Sequence, residues 1–91
     1  LNVFVSAQNK YENRRISDIS IVFEGKDKDI SAADQFRLIA KTVLGETYST
    51  VKVREAIEAL YDSEKIVTAQ VEATNTGNNE VNLRFIIKRK T

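Results

Sequence analysis

The two side chains that carry most protein chemistry at neutral pH are missing from this sequence: of its 91 residues, none is His and none is Cys. The commonest general base, the commonest metal ligand and the thiolate nucleophile are lost with them. Carboxylates, amines and hydroxyls remain. Glu24, Asp27, Asp29 and Asp34 lie close together, and a hard cation is held by such oxygens. A calcium loop, however, alternates its acids at fixed positions and closes on a bidentate Glu. Here Lys26 and Lys28 interleave and the closing Glu is absent, so the cluster reads as a solvated turn leading into a helix cap. Gly25-Lys26 lacks the first Gly and the following Ser or Thr of a phosphate-binding loop. The three glycines, at 25, 45 and 77, are too scattered to build another cradle. Ser and Thr are plentiful, but a hydroxyl nucleophile needs an adjacent base. Only a Ser–Lys arrangement is left, and no spacing points to one. The residues predict a non-catalytic chain with no metal and no cofactor.

Charge narrows the partners. Fourteen basic and thirteen acidic side chains leave a net charge of +1, whereas a duplex-binding protein carries a marked basic excess. The basic run Lys88-Arg-Lys90 reads as a solvated strand end. With 42% apolar and 30% charged residues the chain is too apolar and too balanced to be disordered. A chain this short buries about 60–65% of its unfolded surface, enough for one core. Its longest apolar runs are three residues, against ~20 for a membrane-spanning helix. It begins at Leu1 rather than Met and is read as an excised domain or processed product.

The periodicity supplies the elements that must position any site. Leu1, Val3, Val5 and Ala7 alternate as in a short strand, and Gln8–Arg15 is a polar linker. Ile19, Ile21 and Phe23 share one face of a strand beginning at Ile16. Ser31-Ala-Ala-Asp34 has the spacing of a capping box. Behind it Phe36, Ile39, Ala40, Val43 and Leu44 form a helical stripe that Gly45 ends. Ser49 or Thr50 caps a second helix whose stripe is Val53, Ile57, Leu60 and Tyr61, with Arg54, Glu58, Lys52 and Ala56 on the wet side, ending near Ser63. Val67, Ala69, Val71 and Ala73 then alternate in a strand facing the helices. Asn75–Asn79 is a hairpin loop, and Val81, Leu83, Phe85 and Ile87 define the last strand.

The order β-α-α-β-β predicts an α+β, two-layer sandwich: a three-stranded mixed sheet of order 1-3-2 with both helices on one face. The most apolar strand, the last, takes the centre. The strand from Val67 to Thr74 then lies at an edge, with no Pro, no Lys and only Glu72 charged, facing outward. An extended peptide would add there through main-chain bonds, along Val67, Thr68, Ala69, Gln70, Val71, Glu72 and Ala73. Equally, a neighbouring domain or Leu1–Ala7 itself would cover that edge. The same β-α-α-β-β order occurs in the KH RNA-binding module, which clamps RNA with a Gly-x-x-Gly loop between its helices. Here that loop is Gly45-Glu-Thr-Tyr48, with no second Gly and an acid where a phosphate would lie.

Several segments resemble the POTRA (polypeptide-transport-associated) domain. Ile19-x-Ile-x-Phe-x-Gly25 is similar to its opening strand and turn, Leu44-Gly-x-x-Tyr-Ser49 to its inter-helix turn, and Ala56-Ile-x-x-Leu-Tyr61 to its second helix. Val71 and Val81-Asn-Leu-Arg-Phe-Ile-Ile87 are similar to its closing hairpin. One departure is Glu64-Lys-Ile66, where the family usually has a Gly followed by an aromatic. The resemblance implies a POTRA-like domain over residues 16–91, preceded by a strand and linker over 1–15 that resemble the end of an earlier repeat. It also implies a periplasmic location within an outer-membrane protein whose parent is anchored by a β-barrel. The implied partners are unfolded outer-membrane or secreted polypeptides, accessory envelope proteins and neighbouring POTRA domains, received partly by strand addition. Nucleic acid is not among them. The alternatives are a structural spacer between tandem repeats and a KH-like RNA-binding module.

Overall fold

The computed structural model describes residues 3–5, 11–26, 28–77 and 79–90. Parts of the expected leading strand and linker (1, 2 and 6–10), Asp27 of the acidic cluster, Asn78 of the hairpin loop and Thr91 lie outside the described residues. The elements run β1 (Val3–Val5), β2 (Arg15–Phe23), α1 (Ile30–Leu44), α2 (Thr50–Tyr61), β3 (Ile66–Gly77) and β4 (Glu80–Arg89).

Helix α1 begins earlier than the capping box suggests. Asp29 is its N-cap, in an extended conformation, and its carboxylate accepts from the Ala32 N–H at 3.0 Å. Ser31 is already inside the first turn and cannot cap it; an Asp three residues before the third helical N–H reaches that donor instead. Gly45 closes α1 at φ 68°, its N–H returning to the Lys41 carbonyl. Ser49 caps α2 as expected, accepting from Lys52 N–H at 3.5 Å, and the helix ends at Tyr61 with Asp62 as its cap.

The expected 1-3-2 arrangement is present as β2-β4-β3. β4 is central, parallel to β2 and antiparallel to β3. Outside β3 the sheet continues: β1 pairs with it in parallel, giving the order β1-β3-β4-β2. Both helices lie on one face, and seventeen apolar side chains between Ile19 and Ile87 are buried among the described residues. Val81, Leu83, Phe85 and Ile87 are all essentially inaccessible, which accounts for the position of β4. Phe23 meets Phe36 edge to face at 5.8 Å, and the Arg89 guanidinium lies over the Phe23 ring at 4.6 Å.

Two facial assignments differ from the sequence pattern. Ala56, placed on the wet side of α2, is fully buried with Val53, Ile57 and Leu60; its single methyl group adds little to the hydrophobic pattern that marks the buried side. Val67 is 44% exposed and Ile66 is buried in its place. The β3–β4 register slips between Ile66 and Thr68, and such a bulge moves the preceding residue to the other face. Immediately before it, Glu64 adopts φ 60°, the left-handed conformation that a Gly would take without a Cβ penalty. The hairpin turn is tighter than the loop expected over Asn75–Asn79, since β3 extends to Gly77 and β4 starts at Glu80.

Candidate functional site: the β3 edge

The direction of each peptide group on β3 follows from one hydrogen bond across the sheet. The Glu24 N–H donates to the Ile87 carbonyl at 2.8 Å, so the odd-numbered residues of β4 face β2. Peptide groups alternate sides along a strand, so the even-numbered residues of β4, including Arg84 and Ile86, face β3. Their partners are Glu72 and Gln70, whose main chains are therefore engaged with β4. The main-chain groups of Ala69, Val71 and Ala73 point the other way, toward the outer edge.

Side chains alternate in the perpendicular sense. Ala69 and Val71 are buried beneath the helices, with Ala73 partly packed against the same core. Thr68, Gln70 and Glu72 lie on the open face. There Arg84 donates to Glu72 through Nε at 3.0 Å and Nη2 at 2.5 Å. Both partners are about half exposed, so this pair contributes at most about 1 kcal/mol and serves mainly to hold the open face flat. At the start of the strand the Tyr61 hydroxyl donates to the Val67 carbonyl at 3.4 Å, and the Thr68 hydroxyl to Glu24 at the same distance. Helix α2 runs beside β3 and also touches β1.

Part of the edge carries a strand of this same chain. β1 sets Val3 opposite Ala69, Phe4 opposite Gln70 and Val5 opposite Val71. Of the seven residues expected to receive a strand, β1 pairs with Ala69, Gln70 and Val71. Val67, Thr68, Glu72 and Ala73 extend beyond it on either side.

The other places singled out in the sequence are used for structure. Of the acidic cluster, Asp29 caps α1 and pairs with Arg89 at 3.5 Å, and Glu24 accepts from Thr68. Among the described residues no group of three or more potential ligands stands close enough to hold a metal ion. The Gly45–Tyr48 loop is held by the segment before β2: Ile16 N–H donates to the Glu46 carbonyl at 2.8 Å, Tyr48 N–H to the Arg14 carbonyl at 2.7 Å, and Asn13 N–H to the Tyr48 carbonyl at 3.0 Å. A backbone engaged in this way is not open for clamping a nucleic-acid strand.

Sequence reasoning missed one feature, a groove of about 280 Å³ at the opposite edge, lined by Ile21, Val22, Phe23, Lys28, Asp29, Ile30 and Ala33. Its signal was Ile30, an apolar residue off the α1 stripe that is 76% exposed.

No family model and no curated protein matches the chain. Among solved structures it is similar to POTRA1-2 of the periplasmic domain of Omp85 from Anabaena, with a TM-score of 0.67 at 17% identity over 87% of this chain. The match spans 48% of that solved chain, so this chain is about half its length. The fold is that of a POTRA domain.

Proposed function

We propose that the chain is a non-catalytic protein-binding module in the periplasmic part of an outer-membrane barrel assembly or secretion protein. In this reading residues 16–91 are the POTRA-like domain and residues 1–15 bring in the end of a preceding repeat. Extended client polypeptides or accessory envelope proteins add as a strand along Val67, Thr68, Ala69, Gln70, Val71, Glu72 and Ala73. The observation that carries the reading is the outward phase of Ala69, Val71 and Ala73, a row of main-chain groups that already accepts a short extended segment in parallel. Main-chain bonds supply the affinity and alternate side chains tune it, so binding is tolerant of sequence.

β1 on that edge also favours a second reading, a structural spacer whose β3 is capped by a neighbour. Fluorescence anisotropy with a labelled peptide from an outer-membrane β-strand, and with single-stranded RNA, separates the classes. The receiving module binds the peptide with little dependence on salt and binds no RNA. A spacer binds neither, and RNA affinity falling steeply with salt would replace both readings with the KH-like one.

A further inference from the structure

Three features of the N-terminal region act on the β3 edge together. The described part of β1, Val3–Val5, lies in parallel over the outward groups of Ala69 and Val71. The chain after it is fastened elsewhere. Tyr11 meets Tyr48 edge to face at 6.2 Å, Glu12 accepts from the Thr50 N–H at 2.5 Å, and the main chain of Asn13 and Arg14 is bonded to Tyr48. Five residues, 6–10, separate this anchor from Val5. Among the described residues the pairing stops at Val71, whereas β3 continues through Glu72, Ala73 and Thr74.

We infer that Val3–Val5 is a displaceable occupant of the β3 edge, competing in cis with any extended segment that docks there. A short tether holds β1 at an effective concentration in the millimolar range. If the free strand binds with a dissociation constant of roughly 0.1 mM, the edge is open about a tenth of the time, and the apparent affinity for a competing segment falls about tenfold. The stretch from Glu72 to Thr74, beyond the described pairing with β1, gives an incoming chain a place to begin pairing before β1 is stripped back. The inference rests on the edge being a receiving site and adds how that site is regulated.

The probe is a synthetic peptide of this chain's own first seven residues, blocked at both ends, because it contains Val3–Val5, which the structure places on β3. Amide NMR follows Ala69–Ala73 in the unaltered 91-residue chain and in a Phe4→Pro/Val5→Pro variant, which removes strand donors in both phases. A third protein keeps β1 intact and carries a Gly-Ser insertion that lengthens the 6–10 tether about fourfold, lowering the effective concentration roughly eightfold. The expected result is peptide binding at β3 about tenfold tighter in the proline variant than in the unaltered chain, and several-fold tighter in the long-tether protein. Equal affinity in all three proteins, or folded variants that leave the β3 amides unmoved, would overturn the inference. An outer-membrane strand peptide run alongside separates the two readings. If it binds all three equally at β3, the receiving site stands and the competition falls. If the heptapeptide shows the contrast while the outer-membrane peptide binds none of them, the competition stands and the proposed clients are wrong.

Discussion

Replacing two adjacent residues of β3 by proline should have opposite consequences, because their peptide groups point in opposite directions. The Gln70 main chain is engaged with β4, where its partner is Ile86. Proline there deletes a donor from the interior of the sheet and leaves a buried carbonyl unsatisfied, which costs about 1–3 kcal/mol. The ring constraint within a paired strand adds to this, for a total of roughly 3–5 kcal/mol. A domain of this size is worth about 5–14 kcal/mol at the usual stability per residue, so Gln70→Pro should remove a third or more of a typical stability and unfold a domain at the low end of that range. Val71→Pro removes a donor only from the side of β3 that faces β1, whose described pairing spans three residues, and leaves the β3–β4 ladder intact. Val71 is fully buried, so its substitution also loses some packing, for about 1–2 kcal/mol in all. Urea denaturation of the two variants measures the difference, expected to be about 2 kcal/mol or more in favour of Val71→Pro. Folded Val71→Pro should then bind strand peptides weakly or not at all. If Val71→Pro were the more damaging substitution, the alternation inferred from the Glu24–Ile87 bond would be reversed, and the outward row on Ala69, Val71 and Ala73 with it.

Further substitutions test the scaffold. Glu64→Gly should raise stability by about 1 kcal/mol in thermal melts, because the left-handed backbone at Glu64 costs an L-residue about 1–2 kcal/mol and Gly gives back part of that in entropy. Glu12 has its pKa lowered by hydrogen bonds from Thr50. A carboxylate depressed in the folded state stabilises above its unfolded value, roughly pH 4.3, and this stability is lost as pH falls through the lower folded value. Urea midpoints of the unaltered chain and Glu12→Gln should therefore differ near pH 6 and converge in acid; a constant difference would place the effect outside the titration. Among the described residues the buried Tyr48 hydroxyl has no partner in full hydrogen-bond geometry; burial pushes its phenol pKa up, and the Thr50 side chain beside it offsets part of that rise. Tyr48→Phe should leave stability unchanged or raise it by up to about 1 kcal/mol, and a comparable loss in urea would reveal a partner for the hydroxyl.

Much of the fold is legible in the sequence because its two periods are clean. The stripe Phe36–Ala40–Leu44 and the alternation Val81–Leu83–Phe85–Ile87 both bury as patterned, and the central place of β4 follows from its apolar richness. What the pattern could not supply were local shifts of one or two residues. Whether Asp29 or Ser31 caps α1 depends on which residue leaves the extended conformation first, and both are good caps. Val67 sits on the wrong face because a register slip after Ile66 is a backbone event without a hydrophobic signature. Ala56 is too small for periodicity to assign it a side. For the candidate site, the unprotected strand was readable from its composition, whereas its occupant was left as one of two alternatives. The pairing of Val3–Val5 with Ala69–Val71 is a contact between segments distant in sequence that no local pattern encodes.

The most direct test of the central claim is an amide NMR titration of this domain with an extended peptide from an outer-membrane β-strand. Strand addition predicts shifts concentrated on Ile66–Thr74 and on the flank of α2 beside them, reaching saturation while the spectrum stays folded. A folded sample in which those amides remain unmoved at saturating peptide would contradict it.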